Sequence, residues 1–482
     1  MQQALRPLIT VIGATGTGKS KLAVDLAMAF NGEIVNSDAM QMYRGMDVIT
    51  NKHPVEERMG IPHHLMDFLN PEDAWKIGQW LSVALKTIED IRSRGKVPIV
   101  VGGTHYYVQS LLFRESLQEF EEKLDSGEYS SHREAMVARY PILEAPTSEI
   151  LEELRRRDPV MANRWHPNDR RKILRSLEIC LTTNQKVSDL YAETAAKNSE
   201  VSTARFSNLL FWVHASDDVL ASRLKGRVDQ MIGQGLFNEI DEMFRIYNEK
   251  KDEIDPESGI WQSIGWKQFL PYLIAKDAFQ KLPKDDPKAT KGAEAELSRL
   301  RDEGIEKTNI ATRQYSKSQL RWIRVKLLNR LLVDKSSLPG GGMYLLDTSD
   351  LTRWNEMVRD PAIRISKDFL NPDVSNEALP NPTEITTLPA DLLTPHKKDH
   401  STDRSLWVNH TCEHCHVTAV TKELWEKHIN GRAHRQVVKR KLKKEHIELL
   451  RTLQAASSRR PPSEPSDESP FDTAIFDENE PA

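Results

Sequence analysis

Cysteine is scarce, with three in 482 residues, and only Cys412 and Cys415 lie close together. That scarcity excludes a disulfide framework and points to a reducing compartment with a metal site. Cys180 falls in a helical pattern and reads as core. Long apolar runs are missing too. None approaches the roughly 20 residues of a membrane span, so the expected chain is soluble and has no membrane partner. A cleaved leader is hard to place, because an apolar strand opens at Leu8 and a glycine loop follows at Gly13. Met1 to Arg6 is acid-free and weakly basic, which keeps mitochondrial delivery open beside a cytoplasmic home. No single sign of charge dominates, the formal net charge being -4. Locally the balance is uneven: Lys and Arg crowd between Arg432 and Lys444, and Glu464 to Glu480 is acid-rich. Local fields therefore bear on partners more than the total does.

The chain is longer than the roughly 100 to 200 residues of one ordinary domain, so a core with attached modules is expected. Leu8 to Ile12 is a short apolar run that leads through a glycine loop into Lys21 to Phe30, where Leu22, Leu26 and Phe30 keep helical spacing. Further strands are expected at Glu33–Asn36, Val97–Val101 and Leu209–His214, with a helix at Trp75–Arg94. Strands alternating with helices imply an α/β fold with a doubly wound parallel sheet, whose ligands sit at the carboxyl ends of the strands. Residues 115–205 carry charged helices without a strong strand signal and read as a helical insertion. It divides the core into 1–114 and 206–370. In the second part Arg313, Lys317, Arg321 and Arg324 share one helical face, and Leu320, Ile323, Leu327 and Leu331 share another. Residues 371–403 are expected to be a linker, 404–450 a compact Cys/His unit and 451–482 a disordered tail.

Gly13, Ala14, Thr15, Gly16, Thr17, Gly18, Lys19 and Ser20 fit GxxxxGKS. In that pattern loop amides and a helix N-terminus hold phosphate oxygens, the lysine adds charge and the hydroxyl reaches Mg²⁺. An ATPase also needs an apolar strand ending in an acid to hold that metal. Here Pro98 to Val101 ends in Gly102, Gly103 and Thr104, and the acid is absent. Asp38 instead closes the second strand, where three roles are open to it: metal ligand, base or helix cap.

Taken together, GATGTGKSKLA, IVNSDAMQMYRGMDVITNK, GIPHHLMDF, IVVGGTHYYVQSLL, HPNDRRKILRSLE, RVDQMIGQGLFNEI, SIGWKQF and ATRQYSKSQLRWIR resemble the tRNA dimethylallyltransferases, also called tRNA isopentenyltransferases. These segments run from residue 13 to about 325, in that family's order. The resemblance implies a P-loop NTPase-like core that moves a dimethylallyl group from dimethylallyl diphosphate to the exocyclic amine of the adenosine 3′ of the tRNA anticodon. The loop Gly13–Ser20 would then grip a diphosphate leaving group, joined by Lys19, Mg²⁺ on Ser20, and Arg227. The same resemblance makes Asp38 the base that holds and deprotonates the amine, with Thr104 beside it. Gln41 either reads the adenine edge or caps the next helix. Arg170, Arg171, Lys172 and Arg175 are candidate contacts to the anticodon stem-loop backbone, and Arg313 and Lys317 are further phosphate contacts. A monomer suffices for this chemistry. The rival activities are an adenylate isopentenyltransferase, which needs neither insertion nor finger, and a P-loop nucleotide kinase or NTPase, which lacks its acid here.

Cys412, Cys415, His428 and His434 form C-x2-C-x12-H-x5-H, a spacing that fits a closed tetrahedral Zn²⁺ site of structural type. Leu424 and Trp425 lie between the pairs as its small core. His410, His414 and His416 are nearby but fall outside the pattern. The basic stretch that follows suits phosphate binding, and Lys439 to Lys444 also fits a nuclear address. The finger resembles the type found in eukaryotic members of the same transferase family.

Overall fold

The computed structural model describes residues 5–114, 136–200, 204–281, 287–333, 342–371, 373, 379–394 and 409–457. Strand β1 (Pro7–Ile12) leads through the glycine loop into α1 (Lys19–Ala29), β2 (Gly32–Asn36), the two-residue β3 (His63–His64), α2 (Ile77–Ser93), β4 (Val97–Val101) and α3 (His105–Leu112). Later come β5 (Ser207–His214) and β6 (Met343–Asp347), and all six strands form one parallel sheet in the order β3-β2-β4-β1-β5-β6. At its centre Thr10 is registered with Val100 on one side and Leu210 on the other. Both faces are covered, which is why the strands read as unbroken apolar runs. Leu8, Ile12, Leu210 and Trp212 enter one core. Ile9, Val11, Leu209 and Phe211 enter the opposite one, against Leu22 and Leu26 of α1.

The four strands read from the sequence are present, and two were missed. β3 is too short for any periodicity, and β6 is a five-residue run whose signal, the Pro339-Gly340-Gly341-Gly342 stretch before it, went unread. The insertion contains α4 (Thr147–Arg157), α5 (Pro159–Arg164), α6 (Arg170–Thr183) and α7 (Val187–Glu200) around Ile150, Leu154, Met161, Ile173 and Leu177. An antiparallel bridge between Phe113 and Ala204 joins its two ends, and the Arg205 amide donates to Leu112 O at 2.9 Å.

After β5 the chain forms α8 (Asp217–Gly233), α9 (Leu236–Glu249), α10 (Trp266–Gln280) and α11 (Pro287–Trp322), which continues through a π-helical turn at Ile323–Leu327 into α12 (Leu328–Val333). Ile323, Leu327 and Leu331 are buried as their spacing demands. The segment 371–403 departs from the linker expectation where it is described. Leu388, Leu392 and Leu393 pack on the core, the Tyr344 hydroxyl donates to Pro380 O at 2.9 Å, and Thr387 donates to Asp347 Oδ2 at 2.7 Å. Its proline and threonine content hid Leu388, Leu392 and Leu393, at i, i+4 and i+5. The tail also starts later than 451, since the last helix, Arg432–Ser457, overruns that boundary; 458–482 lie outside the described residues.

One buried charge holds the β2 edge. Glu33 is 1% exposed and accepts from Arg94 Nη2 (2.7 Å) and Lys96 Nζ (2.7 Å), with His64 Nε2 at 2.6 Å. Hydrogen bonds from Arg94 above all, then from Lys96 and His64, hold its carboxyl far below the usual range. Glu33→Gln should cost roughly 2 kcal/mol of unfolding free energy at pH 7, since charged hydrogen bonds are lost while Arg94 and Lys96 keep access to water. The folded-state pKa is the depressed one, so this stabilisation is full above the unfolded value near 4.3 and is lost as pH falls. Urea titrations at pH 7 and pH 3 should show the gap between the two proteins closing at the lower pH.

Candidate active site

Because β2, β4, β1 and β5 are neighbours and parallel, the residues that follow them share one rim. After β1, Gly13 turns with φ +149°, and a Cβ there would meet Val213 O at 2.3 Å. Only glycine fits. Gly18 adopts a left-handed conformation just before α1, which sets the N-terminal amides and positive dipole end of that helix at the rim. Lys19 Nζ and Thr17 Oγ1 both donate to Ala14 O, at 2.8 and 2.9 Å. Burial lowers the Lys19 ammonium to about 8, with Asp38 acting in the opposite direction.

Asp38 follows β2. Its Oδ1 accepts from the Met40 amide at 3.0 Å, and its backbone is fixed on both sides by the Asn36 side chain, each bond 3.0 Å. No helix starts here, so it does not cap one. Burial raises the Asp38 pKa, against the opposing pull of the Met40 amide, Lys19, the Gly103 amide and Arg227. A Cβ on Gly103 would come within 3.0 Å of Asp38 Oδ2 and 2.6 Å of Gln319 Nε2. Thr104 Oγ1 accepts from the Ala39 amide at 3.0 Å and so ties the end of β4 to the Asp38 loop. From α8, Arg227 donates to Thr15 Oγ1; burial lowers its pKa to about 10, with Asp38 opposing. Asp38, Thr104, Lys19 and Thr15, which follow the ends of β2, β4 and β1, therefore converge, and Arg227 joins them from α8.

Three members of the cluster escaped the sequence reading. Gln319, 4% exposed, accepts from the Thr15 amide and donates to Gly103 O, both at 2.9 Å. It joins the loop after β1 to the turn after β4. Tyr315 donates to Gly103 O at 3.5 Å, and burial raises its pKa. His105 Nε2 accepts from the Gly13 amide at 3.4 Å, and burial with Lys19 lowers that imidazole to about 3, so it is neutral. Tyr315 and Gln319 are four apart on α11, one helical turn. That signal was present between the cations that drew attention to the other face.

The remaining candidates sit elsewhere. Gln41 Nε2 donates to the Thr50 and Asn51 carbonyls at 3.3 and 3.2 Å, which braces its own loop. In α6, Arg170 donates to Ala145 O at 2.7 Å, Lys172 pairs with Asp169, and Arg175 lies 3.3 Å from Glu178. Arg171 is exposed, and its charge reaches the Tyr107 phenol. Arg313 and Lys317 are exposed and line a separate cavity. Ser20 is half-buried at the start of α1.

At the other end of the chain the ligand atoms of Cys412, Cys415, His428 and His434 all lie within 4.8 Å of one another. His434 Nδ1 is 3.5 Å from Cys412 Sγ and 3.3 Å from Cys415 Sγ. His428 Nε2 is buried without a hydrogen-bond partner among the described residues. Two sulfurs and two imidazoles at these separations fit the edges of a tetrahedral metal site. His410 stacks on Trp425 instead (5.6 Å), and Leu424 is exposed, so Trp425 alone supplies the apolar packing expected of the pair.

A glycine loop and helix N-terminus after β1, with cations, a half-buried carboxyl and a threonine near the adjoining strand ends, define an α/β protein with the kind of donors that phosphate oxygens require. The family described as IPP transferase matches residues 41–326. The chain belongs to that family. It is 40% identical to the tRNA dimethylallyltransferase of Schizosaccharomyces pombe over 76% of this chain and 79% of that one. With the tRNA dimethylallyltransferase of Saccharomyces cerevisiae it shares 35% identity over 85% of each chain. A solved structure of a eukaryotic dimethylallyltransferase acting on tRNA superposes with a TM-score of 0.71 at 32% identity, covering 92% of this chain and all of that one.

Proposed function

We infer that this chain is a tRNA dimethylallyltransferase that transfers the dimethylallyl group of its diphosphate to N6 of the adenosine 3′ of the anticodon. The observation that carries this is one half-buried carboxyl, Asp38 at the end of β2, set among two cations, Lys19 from the loop after β1 and Arg227 from α8. Such a site suits a reaction in which a proton leaves on one side and negative charge grows on the other. The N6 lone pair attacks C1 of the allylic group, the C1–O bond breaks, and its electron pair leaves with the diphosphate. Lys19, Arg227 and the loop amides receive the charge that grows on the bridging oxygen. Asp38, whose raised pKa makes it a stronger base than an exposed carboxylate, orients the amine and takes its proton. Thr104 and Tyr315 hold the turn that faces both.

The Ser20 hydroxyl, beside Lys19 at the head of α1, fits a single protein ligand to Mg²⁺, with diphosphate oxygens and water completing the shell as this ion prefers. Bound there, Mg²⁺ would neutralise charge on the leaving diphosphate. Zn²⁺ fits the four-residue cluster as a closed structural ion, and the basic helix beyond it suits RNA phosphates.

The test is incubation of the purified protein with unmodified tRNA, Mg²⁺ and dimethylallyl diphosphate, followed by mass analysis of the nucleosides. Prenylated adenosine is expected. Turnover of ATP with no prenylated adenosine would sink the assignment.

A further inference from the structure

The two halves of the site hang from different strands: the glycine loop follows β1, while Asp38 and Thr104 follow β2 and β4. One side chain from outside those strands is bonded to both halves. Gln319 of α11 is 4% exposed. Its Oε1 accepts from the Thr15 amide and its Nε2 donates to Gly103 O, each at 2.9 Å. That Nε2 and Asp38 Oδ2 crowd the same point, since a Cβ on Gly103 would lie 2.6 Å from the first and 3.0 Å from the second. A single carboxamide therefore reaches from the glycine loop to the side of the carboxyl.

The chemistry of that group matters as much as its place. An amide N–H needs an acceptor and a carbonyl needs a donor, and a carboxamide supplies one of each at a fixed separation. Thr308 and Thr312, also buried on α11, instead donate to Gly304 O and Thr308 O, one turn back on their own helix. The helix that carries Gln319 is firmly seated. A Cβ on Gly304 would meet the Phe269 ring of α10 at 2.5 Å, and Ile323 and Leu327, just beyond Gln319, are fully buried. His105 makes another tie across the site, to the Gly13 amide at the root of the loop. Gln319 holds Thr15, two residues further along, which also receives Arg227.

We propose that Gln319 is a positioning residue for the transfer, a strut that sets the distance from the diphosphate held after β1 to the amine held at Asp38. The inference rests on the transferase reading given above. Attack on C1 needs the reacting atoms about 3–3.5 Å apart, and an error of about 1 Å costs on the order of 10² in rate. Gln319 spends its bonds on backbone groups, so it acts through the residues it holds.

The experiment compares the full-length wild type, Gln319→Leu and Gln319→Asn, each with anticodon stem-loop RNA, dimethylallyl diphosphate and Mg²⁺. Leucine has nearly the size of glutamine and makes neither bond. Asparagine keeps the carboxamide but is one methylene too short to span both partners. Single-turnover transfer at saturating substrates should fall about 10²-fold in each variant. Equilibrium affinities for the stem-loop RNA and for inorganic diphosphate should stay within about threefold, because no substrate contact is removed. The acid limb of the pH profile should persist, since Asp38 remains. A rate within about threefold of wild type in a variant of unchanged Tm overturns the proposal. So does recovery of the rate in Gln319→Asn, which would make the carboxamide and not its span the requirement. Affinity and Tm falling in parallel with the rate would make Gln319 ordinary scaffold and overturn it too. Gln319→Asn carries the test if Gln319→Leu does not fold. A wild type that transfers no faster than its variants removes only the strut, whereas a wild type that does not transfer removes the enzymatic reading and the strut with it.

Discussion

Asp38→Asn should lower the single-turnover rate of dimethylallyl transfer by about 10³, the middle of the range for losing a positioned base. The amide keeps the size of the carboxyl and still accepts from the Met40 amide, so the loop after β2 should hold its shape. Affinity for tRNA should therefore stay within about twofold, as expected when no binding contact of the ground state is removed. A matching loss of affinity would falsify the base assignment and make Asp38 a scaffold residue. The pH profile gives a second readout. In the wild type, kcat/KM should fall on the acid side as Asp38 is protonated, at a pH above the ordinary carboxylate range because burial raises its pKa. On the alkaline side it should fall near about 8 as Lys19 loses its proton in the free enzyme. Asp38→Asn should erase the acid limb.

The second large effect concerns the finger. Removing its metal with a chelator, or Cys412→Ser, should unfold residues 409–431, since zinc supplies roughly 10–16 kcal/mol to the folding of such modules. Among the described residues this unit has one two-stranded ribbon, His410–Thr411 with Thr418–Ala419, and one short helix, Lys422–Ile429. That is too little apolar surface to hold together without an ion. Melting of the sheet domain should not change. Affinity for tRNA should drop at least about tenfold at moderate salt and lose part of its salt dependence, as fewer phosphates are neutralised. The rate at saturating tRNA should be unchanged. If affinity survives chelation, the basic helix Arg432–Ser457 has some other task.

What the sequence disclosed about the site follows from where the chemistry is local. The glycine loop, Asp38 and Thr104 each lie at the end of a run that reads as a strand, so a parallel topology is enough to bring them together. The finger was legible because four ligands in register rarely arise otherwise. Gln319 was hidden because its role depends on two backbone groups some 200 and 300 positions away, Gly103 O and the Thr15 amide. Glu33 was hidden likewise, since a lone acid in a strand gives no sign of the arginine, lysine and histidine that surround it. The cationic stripe on α11 was seen, and the cavity it borders was not, because the other walls come from β5, α8 and Leu392.

The bridge between Phe113 and Ala204 makes the helical insertion a cassette. Its two ends are pinned to each other between the end of α3 and the start of β5, so the sheet domain feels the same anchors whatever length of chain runs between them. Doubling such a loop costs only about 0.6 kcal/mol of closure entropy. Lineages could lengthen, trim or exchange this region to suit different RNAs while the rim that performs the transfer stays fixed.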